Sequence, residues 1–410
     1  MERWKQNLYL IWLAQILSLT GFGFMMPFLP YYIQDLGITD PVRIRFWVGI
    51  ISSIPGLFLA IMAPIWGVLA DRFGRKLMIL RSMLAGAILV FLMSWATNIY
   101  AVLILRMLQS LLCGTVTAAA TLVAAGTPQR RLSYALGFLS SSTYIGFSLG
   151  PLIGGVTAEV IGYKNSFQIG SAVIFIGFLI VLIFIRELRS DDKPPVTEKR
   201  KSQGPKMLAI LASPLGLLFF LIFLIRFSRM LPYSFLSIYI QELRGTVEGS
   251  SAVMGFVSAL VGIMIAFAAI IMGRLADRYN KHKLIRICLL GGAVLSLPIF
   301  FSRGLWEFVM LYTLAAFGVG GVEPVLQSAL SEGSSPDKRG FFFGVQTLVS
   351  SSGFFLAPLV ASAISINIGT KHIYLFFSGA LFITLLVSVV TGPRISIRRV
   401  LRRLPFLSNR

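Results

Sequence analysis

Long runs of apolar residues alternate with short polar segments along the whole chain. Each run reaches the roughly 20 residues that a helix needs to cross a hydrocarbon core about 30 Å thick. The pattern therefore predicts an all-α integral membrane protein and excludes an ordinary soluble one. We predict twelve membrane-spanning helices, at residues 7–33, 46–69, 77–96, 99–125, 133–158, 165–186, 211–240, 250–274, 284–302, 305–331, 341–366 and 372–392.

The positive charges between the spans predict the orientation of the chain. The N-terminus, the even-numbered loops and the C-terminal tail hold 28 of the 37 lysines and arginines. Because basic loops stay in the cytoplasm, we expect both termini there, with the protein in the cell (inner) membrane. The net charge of +21 lies in short loops, which favours anionic lipid headgroups rather than nucleic acid as partners.

The two halves of the chain repeat one another at an offset of 206 or 207 residues. For example, Tyr32-Ile-Gln-Asp35-Leu recurs as Tyr239-Ile-Gln-Glu242-Leu. Both halves begin on the same side, so the repeats are parallel, and a substrate path is expected between them near the membrane midplane. We predict two six-helix bundles, a cytoplasmic linker and a basic cytoplasmic tail, at residues 1–186, 211–392, 187–210 and 393–410 respectively.

Two motifs within this repeat carry most of the information about the fold. A basic hairpin between spans two and three recurs between spans eight and nine, with a glycine for close helix approach and an aspartate that caps a helix or pairs with a base. Its residues are Gly67, Asp71, Arg72, Gly74 and Arg75, then Gly273, Asp277 and Arg278. Span five presents small residues for tight packing and a proline that bends it: Gly137, Gly146, Gly150, Pro151, Gly154 and Gly155.

These motifs resemble the major facilitator superfamily, and the resemblance covers the whole chain. The hairpin resembles the signature of that superfamily, although Asn280 stands where the second copy should have glycine. The span-five pattern resembles the motif of the exporter (antiporter) branch, and Pro27-Phe-Leu-Pro30-Tyr-Tyr resembles bacterial multidrug-resistance members. The resemblance implies a monomeric drug:proton antiporter that works by alternating access without a cofactor.

Four ionisable side chains fall well inside predicted spans: Arg106, Arg226, Arg229 and Glu323. Each costs roughly 2.5–3.5 kcal/mol near the bilayer centre, so they should face a wet cavity or one another. A proton-coupled carrier needs a group that loses and regains a proton on each side of the membrane. Glu323 is the acidic residue deep in a span, which makes it our candidate proton carrier. The alternative is an ion pair that only locks helices together.

The arginines suggest further roles. Arg106-x-x-Gln109 resembles the span-four signature of the superfamily, with Ser110 in place of the usual glycine, and the resemblance implies proton handling. Arg226 and Arg229 lie on one helix face and favour an anionic or zwitterionic substrate held by forked hydrogen bonds; alternatively, they pair with Glu323. Tyr144 and Gln346 complete the candidate substrate-binding set.

Other functional classes lack support in the sequence. No phosphate-binding loop of the Gly-x4-Gly-Lys type is present, and no histidine or cysteine cluster suggests a metal site. Polar residues that would catalyse a reaction do not cluster, so we expect no enzyme. We predict a proton-coupled exporter of drugs or other amphipathic small molecules. The alternatives are an exporter of an anionic metabolite, siderophore or lipid and, third, a proton-coupled uptake symporter.

Overall fold

The computed structural model describes residues 3–128, 131–185, 214–276, 278–326 and 339–391. These residues are helical or in short turns, and no strand occurs among them. The predicted linker, the basic tail and Asp277 lie outside the described residues.

Thirteen α-helices have both ends within the described residues. In chain order they are α1 (Arg3–Gly23), α2 (Leu29–Asp35), α3 (Pro41–Phe73), α4 (Arg75–Met93), α5 (Ile99–Leu112), α6 (Thr115–Gly126), α7 (Leu132–Phe184), α8 (Pro214–Arg244), α9 (Ser250–Ala276), α10 (Lys281–Ser296), α11 (Leu305–Gly320), α12 (Arg339–Ile368) and α13 (His372–Thr391). Two short 3-10 helices, Met26–Phe28 and Leu297–Phe301, extend the first and ninth spans.

The number of membrane crossings follows from helix length. Eleven segments of the described chain are long and apolar enough to cross a membrane, with Tyr134–Phe184 counted once. However, α7 has 53 residues, roughly 80 Å at 1.5 Å per residue and far more than one crossing needs. Gly162, at φ +82°, interrupts it, in a conformation that residues other than glycine rarely adopt. α7 is thus two spans, and the predicted twelve-helix fold is confirmed.

The fourth span is broken, whereas the sequence predicted one helix over 99–125. Cys113, in an extended conformation, and Gly114, in a non-helical one, separate α5 from α6. Side chains from neighbouring helices take up backbone groups that the break releases: Trp66 Nε1 donates to the Leu111 carbonyl at 2.8 Å, and Ser82 Oγ accepts from the Gly114 N–H at 2.7 Å. A hydropathy profile does not detect such a break, because the residues on both sides of it and within it are apolar.

The two copies of the hairpin make their tight turn by different means. Gly74 joins α3 to α4 at φ +97°. Its repeat equivalent, Asn280, has an ordinary negative φ and caps α10 instead, its Oδ1 accepting from the backbone N–H groups of His282 at 3.0 Å and Lys283 at 3.4 Å. A side-chain cap thus replaces a left-handed glycine, which explains the departure from the motif.

The described chain forms two compact units. The first takes in Met1–Pro195 and Ser234–Ile263, and the second Val196–Tyr233 and Met264–Arg410. The second unit has a buried apolar core in which α8 side chains such as Phe219 and Ile222 meet side chains from the ninth, tenth and twelfth spans. The described part of the second repeat is therefore shared between the two units.

Glycines of α7 allow it to pack backbone against backbone on α1 in the first unit. A Cβ atom on Gly150 would lie 2.6 Å from the Thr20 carbonyl oxygen and 2.7 Å from the Gly23 Cα. One on Gly154 would lie 2.7 Å from the Cα of Phe24. Neither position has room for a side chain, as the packing hypothesis for span five requires.

The other motif glycines differ in their surroundings. Gly146 also faces α1, where an added Cβ would lie 2.6 Å from the Leu19 Cβ. Gly155 faces α9, where a Cβ would overlap the Ser251 carbonyl oxygen. A Cβ on Gly137 would meet no atom of the described residues within 4 Å.

We expect Gly150→Ala to destabilise the protein by about 1–3 kcal/mol, because the added methyl group pushes α7 away from α1. The thermal unfolding midpoint of the purified protein in detergent would fall. Gly137→Ala is the matched control: it adds the same methyl group to the same helix in open space, where better helix propensity keeps the midpoint equal or raises it. Equal losses in both variants would contradict the packing assignment.

Candidate functional site

Three of the four charges predicted inside spans meet in the second unit. Arg226 and Arg229 lie one turn apart on α8. Glu323 lies in the span Leu305–Leu326, just beyond the end of α11 at Gly320, where the chain makes a turn before residues 322–326 resume a helix. We call these three residues the charge cluster.

Both arginines reach the same carboxylate oxygen. Arg229 Nη1 donates a 2.5 Å hydrogen bond to Glu323 Oε2, and Arg226 Nη1 lies 3.6 Å from that atom. Of the two sequence-based alternatives for the arginines, the structure therefore contains the pairing with Glu323. The pairing joins α8 to the tenth span across 94 residues of sequence.

The charge cluster is neither sealed nor on the surface. The side chains of Glu323, Arg226 and Arg229 are 35%, 37% and 21% exposed. Between a fifth and two fifths of each side chain is thus left uncovered by other protein atoms, while the rest is packed. The cluster carries two positive charges and one negative charge, so it has an excess of one positive charge while Glu323 is ionised.

Packing against α12 holds this part of α8 in place. A Cβ on Gly353 would lie 2.9 Å from the Phe223 carbonyl oxygen, 3.0 Å from the Phe227 backbone nitrogen and 3.3 Å from the Arg226 Cβ. Gly353 is the repeat equivalent of Gly146, which packs in the same way on α1. The two repeats thus share the helix packing that positions the backbone of the charge cluster. The charged side chains themselves are present in the second repeat only.

Arg106 lies in the first unit, on α5, with 5% of its surface exposed. Its Nη1 donates to Gln109 Oε1 at 2.5 Å. The two residues that we predicted to handle protons, Glu323 and Arg106, are thus placed in different compact units.

A second arginine lies near the break in span four, and the sequence did not lead us to select it as a candidate functional residue. Arg81 is one of the 28 basic residues that we assigned to the cytoplasmic side, although it falls inside the predicted span 77–96; in the structure it lies within the candidate span Arg75–Met93 and is half buried. Its guanidinium carbon stands 3.1 Å from the centre of the Trp66 ring, a cation–π contact. The spacing from Arg75 and Lys76 was the available signal, since Arg81 lies more than a helical turn deeper.

The remaining candidates are more scattered. Tyr144 is half buried on α7 of the first unit. Gln346 is half buried on α12 of the second, and its Oε1 has no hydrogen-bond partner among the described residues. Of the hairpin residues, Gly67 and Asp71 lie on α3, Arg75 begins α4 and Gly273 lies on α9. Arg72 stacks over the Phe73 ring, and the Arg278 N–H bonds to the Leu275 carbonyl.

Two repeat-equivalent glutamines form a reciprocal pair within the first unit. Gln34 Nε2 donates to Gln241 Oε1 at 2.8 Å, and Gln241 Nε2 donates back to Gln34 Oε1 at 2.9 Å. Arg45 Nη2 bonds to Glu242 Oε1 at 2.9 Å beside them. We call these two contacts the glutamine latch. The repeated Tyr-Ile-Gln sequence was the available signal, since it places Gln34 and Gln241 at equivalent positions of the two repeats.

Comparison with known proteins identifies the family. A model of the Major Facilitator Superfamily matches residues 11–249 and 218–403. The chain belongs to this superfamily of membrane transporters. It is a multi-pass membrane transport protein and not an enzyme.

Two similar relatives carry the same name. The chain is 33% identical to "Multidrug resistance protein MdtG" of Proteus mirabilis (strain HI4320) over 390 residues, 95% of this chain and 96% of the relative. It is 34% identical to the protein of that name from Salmonella arizonae over 387 residues, 94% of this chain and 95% of the relative.

Solved structures share the fold. A bacterial homologue of the human lysosomal transporter Spinster, inward-facing and occupied, aligns with a TM-score of 0.77 at 15% identity, over 96% of this chain and 98% of that one. The human organic anion transporter MFSD10 aligns with a TM-score of 0.70 at 19% identity, over 95% of this chain and 100% of that one. At such identities the likeness extends to the fold alone.

The pairing of Arg229 with Glu323 predicts strong non-additivity. Arg229→Gln should destabilise the protein by roughly 1–3 kcal/mol, between the values for exposed and buried pairs, because Glu323 keeps a charge with a weaker partner. Arg229→Gln combined with Glu323→Gln should recover most of that loss. Thermal unfolding of the two single variants and the double variant measures the coupling; additive losses would show that the two groups do not interact.

Proposed function

We propose that this chain is a proton-coupled exporter of drugs or other amphipathic small molecules across the cytoplasmic membrane. One observation carries the proposal: a carboxylate lies inside a membrane-spanning segment, held by two arginines and 35% exposed. The proposal requires protons to reach this group, and its charge is tied to a contact between two spans. The relatives named as multidrug resistance proteins support the choice of substrate.

The ion pair suggests how a proton would act. Ionised Glu323 bridges α8 and the tenth span through Arg229. Protonation removes the negative charge and the main attraction between the two groups, which lets the spans shift relative to one another. Protons entering the cell would supply ~2.3 kcal/mol per 100 mV of membrane potential for each charge moved, in addition to the pH gradient.

Alternating access would involve residues 1–186 rocking against residues 211–392. The glutamine latch joins these two repeats where spans one and seven end, on the side predicted to be extracellular. In the state that opens on this side, we propose that the Gln34–Gln241 and Arg45–Glu242 contacts separate. Each is a hydrogen bond or ion pair between partly exposed side chains, worth only about 0.5–1.5 kcal/mol, so binding energy and the proton gradient suffice to open them.

A second candidate function is the export of an anionic or zwitterionic molecule. The observation that favours it is the excess positive charge of the charge cluster. A cation would have to approach Glu323 past two guanidinium groups, whereas an anion would be attracted to them.

Proton flux tests the proposed exchange. In inverted membrane vesicles under a respiratory gradient, we expect an exported compound to dissipate the pH gradient, recorded with a pH-sensitive dye. The panel would contain ethidium, chloramphenicol and 1-naphthoate, which are cationic, neutral and anionic. Glu323→Gln should abolish the response, whereas Glu307→Gln, which alters an exposed carboxylate, should retain it. An unchanged response in Glu323→Gln would remove the assigned carrier.

Cross-linking tests the glutamine latch. In a background without Cys113 and Cys288, Gln34→Cys with Gln241→Cys joined by a short bifunctional maleimide should stop transport, because the repeats can no longer separate there. The matched control is Gln15→Cys with Thr143→Cys, which replaces a 3.0 Å hydrogen bond within the first repeat. That cross-link should leave transport largely intact. Full transport by the cross-linked Gln34–Gln241 pair would contradict the opening movement.

A further inference from the structure

The two arginines of the charge cluster are not equivalent. Arg229 is hydrogen-bonded to Glu323 at 2.5 Å and is 21% exposed, whereas Arg226 stands 3.6 Å from the same oxygen atom and is 37% exposed. At 3.6 Å the contact is ionic without being a hydrogen bond. One arginine thus neutralises the carboxylate, and the other retains N–H donors that Glu323 does not use.

The surplus charge has a defined location because of this asymmetry. The Arg229–Glu323 pair is electrically neutral, so the excess positive charge of the cluster belongs to Arg226. Within the described part of the chain, the ionic contact of Arg226 is the long one to Glu323. A guanidinium group in a membrane-spanning helix is stabilised by a second anion, and its planar fork matches a carboxylate or phosphonate in two-point contact.

An apolar stripe adjoins this arginine on the same helix. Phe223 and Met230, three residues before and four residues after Arg226, share a helix face with it, and Phe227 lies next to that face, four residues after Phe223. All four side chains are half buried. The rings of Phe223 and Phe227 stack at 5.7 Å between centroids. The close approach of Gly353 places this stripe beside α12. A charged head and an apolar body therefore have adjacent places on one helix.

We propose that Arg226 binds the acidic head of an amphipathic organic anion, whose apolar body lies along Phe223, Phe227 and Met230, while Arg229 holds Glu323. The proposal rests on the proposed function, since it names the substrate class of that transporter. It assigns different roles to two arginines that the sequence alone does not distinguish. Arg226 is a specificity-determining residue, and Arg229 is a positioning residue for the carboxylate.

Equilibrium binding separates these roles without requiring transport. The probes are 1-naphthoate and its uncharged analogue 1-naphthamide, offered to the purified full chain in nanodiscs of zwitterionic lipid. Arg226→Gln should weaken naphthoate binding roughly ten- to hundredfold, as expected for a lost charge-assisted hydrogen bond, and leave naphthamide binding nearly unchanged. Arg226→Lys, which keeps the charge but not the fork, should lose less.

Variants of the neighbouring pair give the sharper result. Glu323→Gln should bind naphthoate several-fold more tightly, because a competing negative charge beside Arg226 is removed. Arg229→Gln should bind it more weakly, because Glu323 then turns to Arg226, and the double variant Arg229→Gln/Glu323→Gln should recover the affinity. A gain in Glu323→Gln cannot arise from misfolding, which protects the test against unstable variants.

Two outcomes would overturn the proposal. One is an equal loss of naphthoate and naphthamide binding in Arg226→Gln, which would make the residue structural. The other is an unchanged or lower naphthoate affinity in Glu323→Gln. Repeating the measurement with phosphatidylglycerol in the nanodiscs distinguishes a lipid source of the same chemistry: competition in the wild type that disappears in Arg226→Gln would assign the site to a lipid headgroup instead of a transported substrate. Failure of proton exchange in vesicles would leave these binding results untouched.

Discussion

The cost of holding charge inside a membrane governs the most informative part of this molecule. Each arginine or glutamate near the bilayer centre costs roughly 2.5–3.5 kcal/mol on insertion scales, and three of them meet on α8 and the tenth span. Their mutual attraction offsets part of that cost, so any event that removes one charge changes the contact between two helices. A proton on Glu323 is the simplest such event, and this links the chemistry of the carboxylate to the movement of the spans.

The packing of helices that the two repeats share positions the backbone of the charge cluster. Gly146 packs on α1 and Gly353 packs on α8 in equivalent ways, so both halves use one backbone arrangement. The charges break the symmetry, since Phe22 and Thr117 occupy the positions equivalent to Arg229 and Glu323. The equivalent residues Gln34 and Gln241 are identical and pair with each other. Identical positions thus serve packing within each half or contact between the halves, and the asymmetric ones are available for specificity.

Much of the fold is readable from the sequence because membrane insertion depends on average apolarity and on loop charge. Long apolar runs predicted the twelve spans, and the offset between repeats predicted their parallel arrangement. The break at Cys113–Gly114 was not predicted, because hydropathy does not register which side chains bond to the freed backbone groups. From other helices, Ser82 accepts from the Gly114 N–H and Trp66 donates to the Leu111 carbonyl. Arg81 was grouped with the loop charges although it falls inside the predicted span 77–96, and its contact with Trp66 is a tertiary one that local sequence does not specify.

The candidate site was predictable only in part. Composition within the spans identified Glu323, Arg226 and Arg229, but their distances depend on how α8 meets the tenth span, which local sequence does not specify. The role of Arg106 in proton handling stays a prediction from the resemblance, and that of Glu323 stays a prediction from its place inside a span. The unequal contacts of Arg226 and Arg229 are a product of packing, and they convert two similar residues into a binding candidate and a structural partner.

Proton movement driven by substrate tests the central claim most directly. Purified protein in proteoliposomes, with equal pH on both sides and a pH-sensitive dye inside, would receive an outward gradient of ethidium or 1-naphthoate. The account predicts that substrate leaving the lumen through the wild-type protein acidifies the lumen, and that Glu323→Gln shows no such signal. Protons moving in the same direction as the substrate, or an unchanged signal in Glu323→Gln, would contradict it.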